Sequence, residues 1–102
     1  MTSSLRFFFE AGVDTPLWPV DMHSEYGYPV HLRRLPVSPA LRTELARLSE
    51  WYQSSIDWSC PSDPSPWSDE ERELFKQQAQ AALAALRREL GAGWTVHDES
   101  LL

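Results

Sequence analysis

Trp51 to Glu71 reads WYQSSIDWSCPSDPSPWSDEE, and the fold turns on whether this run is a loose tether or a built junction. It holds three of the five tryptophans, the only cysteine and three of the eight prolines. Pro61, Pro64 and Pro66 lack an amide N–H and fix φ, which excludes regular helix between them and stiffens the path. On its N-terminal side, Leu41, Leu45, Leu48 and Tyr52 recur at helical spacing with Trp51 beside them, so a helix ends inside the quoted stretch. On its C-terminal side, Ser68 reads as an N-cap and Glu71 completes a capping box, while Asp69 and Glu70 suit the positive end of a helix dipole. The stretch is therefore a stiff junction between two helices.

Working outward, Ser38 is the expected N-cap of the first helix, with Pro39 at the position where a missing N–H costs nothing. The second helix turns Phe75, Ala79, Ala82, Leu83, Leu86 and Leu90 inward, carries Arg87 and Arg88 at its negative end, and stops at Gly91 and Gly93. Beyond it, WTVH at residues 94 to 97 predicts a strand with Trp94 and Val96 on one face, and Asp98 to Leu102 is expected to fray. Upstream, LRFFFE at Leu5 to Glu10 predicts a strand with Leu5, Phe7 and Phe9 on one face. Phe8 then falls between Arg6 and Glu10, where it either covers the second face of the strand or meets a partner. Residues 14 to 29 read as loop with one short extended piece at Leu17 to Val20, pinned by Trp18, Tyr26 and Tyr28. VHLRRL at Val30 to Leu35 predicts a second strand, with Val30 and Leu32 inward and His31 and Arg33 outward. The order β-β-α-α-β predicts an α+β fold, with two helices on one face of a small, mostly antiparallel sheet, in a single domain over residues 1 to 102.

Composition narrows the classes of function. With 42% hydrophobic residues in 102, the chain can bury one core. A lone cysteine makes no internal disulfide, and the N-terminus lacks the apolar region of a signal peptide. No apolar run approaches the ~20 residues of a membrane span, so a cytoplasmic protein without a membrane partner is expected. One lysine, one isoleucine and no asparagine point to a GC-rich, bacterial genome. The net charge of −6 argues against nucleic acid as a partner, which calls for a basic face. Residues 57 to 71 hold five acids and no base.

No catalytic, metal or cofactor site is expected. His23, His31 and His97 lack metal-ligand spacing, and the acids near Cys60 oppose the lowered pKa that a nucleophilic thiol needs. Asp57 with Glu50, or Asp69 with Glu70, could be drawn as the acid and base of a hydrolase, but acids at a helix start are commonly capping and dipole devices. Asp57 with His31 is a further pairing, which requires a pocket where the two meet. What is left for function is a rigid acidic surface carrying an aromatic anchor: Asp57, Trp58, Asp63, Trp67, Asp69 and Glu70. The expected partner is a protein with a basic surface. A structural protein that buries Phe8 and the junction tryptophans in a symmetric homo-oligomer is the alternative.

Three segments carry a resemblance. WYxxSxDW at Trp51 to Trp58, PSPWS at Pro64 to Ser68 and LGxxW at Leu90 to Trp94 resemble a group of short proteins from GC-rich bacterial genomes. By type, as a small acidic domain, the chain is also similar to immunity proteins that neutralise bacterial toxins. That likeness implies a non-enzymatic domain whose partner is a toxin.

Overall fold

The computed structural model describes residues 3 to 21 and 23 to 100. In chain order the elements are β1 (Ser3–Phe7), β2 (Leu17–Pro19), a single 3-10 turn (Leu32–Arg34), α1 (Pro39–Gln53), α2 (Asp69–Leu90) and β3 (Trp94–Asp98). Two helices pack on one face of a three-stranded sheet of order β2-β1-β3, an α+β fold. The antiparallel pair is β1 with β2, Leu5 opposite Pro19 and Phe7 opposite Leu17. The last strand joins parallel to β1, Ser3 opposite Trp94 and Phe7 opposite Asp98, because the helix pair returns the chain to the starting end of the sheet.

Both helices start where side-chain chemistry says they should. Ser38 Oγ accepts from the Leu41 N–H at 3.2 Å, and Ser68 Oγ accepts from the Glu71 N–H at 3.1 Å. Ser38 does a second job: its N–H and Oγ both donate to the Glu89 carboxylate, at 2.6 and 2.9 Å, tying the start of α1 to the end of α2. Gly91 closes α2 at φ +78°, a conformation that side chains with a Cβ resist. Between these caps, Leu41, Leu45 and Leu48 of α1 meet Phe75, Ala79, Leu83 and Leu86 of α2, over Leu5, Phe7, Leu17 and Val96 of the sheet. Fully burying a side chain of this size contributes about 1.5–3 kcal/mol.

Three sequence expectations are corrected. β1 begins and ends earlier than Leu5 to Glu10, and Phe9 leaves the strand to pack 5.5 Å from Tyr52 and 5.0 Å from Phe75. Val30 to Leu35 is not a strand: the Arg34 N–H bonds the His31 carbonyl and the Leu35 N–H bonds the Leu32 carbonyl, which winds a 3-10 turn. The edge of β1 is instead taken by Leu17–Pro19, whose one proline, Pro19, is tolerated because that side of an edge strand needs no donor. Val30 and Leu35 are buried and His31 and Arg33 exposed, so an alternation that fits a strand also serves a turn. Finally, Asp98 lies inside β3, and the Glu99 N–H bonds the Phe7 carbonyl at 2.9 Å. The end of the expected fraying segment, Leu101 and Leu102, lies outside the described residues.

On the far face of the sheet Phe8 stacks on Trp18 at 4.8 Å, with the Arg6 guanidinium 5.1 Å from the Phe8 ring. Phe8 therefore covers that face. Among the described residues no helix is long and apolar enough to cross a membrane.

Candidate functional site

The junction between α1 and α2 is held by hydrogen bonds that begin in the helix before it. Ser54 caps α1, its N–H reaching the carbonyls of Trp51 and Tyr52. Turns closed by Cys60 N–H to Asp57 C=O and Asp63 N–H to Cys60 C=O carry the chain on to the prolines. Trp67 is buried, with its ring 5.8 Å from Trp51 and 5.0 Å from Phe75 and its indole N–H donated to Ser54 Oγ at 2.8 Å. Trp51 in turn donates its indole N–H to the Glu71 carboxylate at 3.1 Å, so Glu71 serves the junction rather than its surface.

Trp58 is arranged the other way. Its indole N–H donates to the Gln53 carbonyl at 2.9 Å, yet the residue is 56% exposed. The bond fixes the ring while leaving it open to solvent. Beside it, the Ser59 hydroxyl and N–H donate to Asp57 Oδ1 and hold its carboxyl below the usual range. Asp63, Asp69 and Glu70 are exposed; Asp69 lies 3.4 Å from Arg72, and among the described residues no side chain pairs with Asp63 or Glu70. Of the six residues expected to form the surface, five thus reach it wholly or in part, and Trp67 lies beneath as its support.

Next to Trp58, α1 and the loops around residues 12–15 and 29–33 enclose an open groove of about 1000 Å³. Gln53 builds its wall: Nε2 lies 3.2 Å from the carbonyls of Glu10 and Val13, and Oε1 accepts from the Gly12 N–H at 2.8 Å. Sequence reading missed this residue, since nothing local marks a glutamine that reaches a loop some 40 positions earlier. Along α1 the lining runs from Arg42 through Thr43, Ala46 and the buried Ser49 to Glu50 and Gln53, and Asp14 and Arg33 line it from the two loops. Arg42 Nε is sealed from solvent, and among the described residues it has no acceptor. His31 lines the groove as well, whereas Asp57 does not. The Cys60 thiol is exposed, 3.7 Å from the Ser62 hydroxyl.

No curated protein matches the chain. The profile of the family described as "Serratia CdiI immunity protein-like" matches residues 4–99, a span that runs from β1 through β3. The group is one of immunity proteins rather than catalysts. The chain belongs to the Serratia CdiI immunity protein-like family.

Proposed function

We propose that the protein is a cytoplasmic immunity protein that neutralises a toxin by occupying a basic surface on it with the acidic junction between α1 and α2. The observation that carries this reading is Trp58, fixed by its indole N–H and exposed among acids. A ring held rigidly in the free protein loses little conformational freedom on binding, and tryptophan is over-represented among residues that dominate interface energies. Asp57, Asp63, Asp69 and Glu70 add a field that accelerates encounter with a cationic partner and disfavours wrong ones. Trp67 contributes from below by keeping the junction in shape. A toxin that itself binds phosphates would offer a basic surface of the kind required. The test is capture of the partner from the native lysate, followed by binding measurements with Asp63→Lys combined with Glu70→Lys. The proposal expects weakened binding and a flatter salt dependence, and unchanged values for both would refute it.

A further inference from the structure

The groove along α1 is polar in a directional way. At one end the exposed ring of Trp58 stands with Glu50 and Asp14; Glu50 lies one turn before Gln53, which holds both Trp58 and the loop that carries Asp14. At the other end are Arg42, in the second turn of α1, and Arg33, on the 3-10 turn that feeds that end of the helix. Arg42 and Glu50 are eight positions apart on the helix, about 12 Å along its axis. Between them along the helix the lining is Thr43, Ala46 and Ser49, small enough for a main chain to approach closely. An extended chain covers 12 Å in about four residues.

We infer that this groove takes an extended segment of the protein partner, with a cationic side chain on Trp58 and Glu50 and an acidic side chain at Arg42 and Arg33, about four residues apart. The inference rests on the reading of the chain as a protein-binding immunity protein and adds to the acidic junction a second, sequence-selective contact, with Trp58 shared between the two. A cation over the indole face gains from the ring quadrupole as well as from Glu50. At the far end, an incoming carboxylate meets the guanidinium groups of Arg42 and Arg33, which line the groove there.

Capped peptides with Arg and Asp about four residues apart, in either order, are titrated into the full chain and followed through backbone and indole N–H resonances. The expected result is a shift of the Trp58 indole and of amides at Ala46 and Glu50, with at least one mixed-charge order binding roughly three- to fivefold tighter than Arg/Arg or Asp/Asp controls, as exposed ion pairs allow. Glu50→Lys or Arg42→Glu removes that preference, and both lie on an exposed or half-buried face of α1, so folding is checked from the same spectra. Asp63→Lys with Glu70→Lys, which alters residues outside the groove lining, keeps the preference for the mixed-charge peptide over the like-charged controls even where overall affinity shifts. Shifts absent from the groove, or equal affinity for mixed and like-charged peptides, overturn the inference whatever the junction variants do.

Discussion

Trp58 and Trp67 stand nine residues apart in one acidic, proline-rich segment, and both are conspicuous in the sequence. Which of them faces out was not legible there, because it depends on where each indole N–H finds an acceptor. Trp67 finds Ser54 Oγ inside a ring cluster, whereas Trp58 finds the Gln53 carbonyl at the end of α1 and keeps its ring outside. Trp67→Ala should therefore lower stability by about 3–5 kcal/mol, the range for emptying a large aromatic site, read from urea unfolding. Trp58→Ala should change the same measurement by about 1 kcal/mol or less, since it gives up one hydrogen bond at an exposed site, while weakening partner binding by about 2 kcal/mol or more. A reversed order of the two stabilities would mean that the junction is built otherwise. Gln53→Ala frees the loop at residues 10–13 from α1 and should cost about 1–3 kcal/mol, with faster hydrogen exchange at the Gly12 amide.

At the scale of elements, what could be read locally was read well. Ser38 and Ser68 cap their helices as their sequence settings imply, although the Glu71 side chain expected to close the capping box bonds the Trp51 indole instead, and the stripes of α1 and α2 fall on the core. Both signals depend on residues within a turn or two of each other. The strands were less legible, since pairing is a contest between distant segments for the edge of β1. Leu17–Pro19 wins that place despite two prolines nearby, and Val30 to Leu35, with better strand composition, is left to turn into α1. The link from Ser38 to Glu89 was likewise beyond local reading, because it joins opposite ends of the helical pair. Ser38→Ala should destabilise towards the upper end of the ~0.5–2 kcal/mol range for a lost cap, since it also removes a hydroxyl from Glu89. Comparison with Ser68→Ala, whose cap has no such second partner, isolates the added contribution; equal losses would mean that the link between the helices contributes nothing.

Across the whole molecule, several carboxylates are held below their ordinary range by the folded structure. Arg6 does this for Glu99 through a hydrogen bond, and Arg47 for Glu44. Desolvation acts upward on Asp98, but bonds from Ser100 and Gln80 outweigh it. Groups whose folded pKa lies below the unfolded value contribute stability that is present above the unfolded pKa, about 4 for carboxylates, and lost as pH falls through the folded one. The melting temperature should accordingly be nearly flat from about pH 5 to 8 and fall below about pH 4, and Glu99→Gln should shrink that fall. The proposed function uses a different set of acids, whose placement was visible in the sequence as five acids without a base from Asp57 to Glu71. The structure refines that surface by giving Glu71 to Trp51 and Asp69 to Arg72, which leaves Asp63 and Glu70 as the acids to reverse. The most direct measurement is the affinity of the purified partner for the parent protein and for Asp63→Lys with Glu70→Lys, each at about 0.05 and 0.5 M salt. The account predicts parent binding that weakens by tenfold or more across that range, and a variant of unchanged fold with lower affinity and a flatter salt response. Equal affinities and equal salt responses for the two proteins would contradict it.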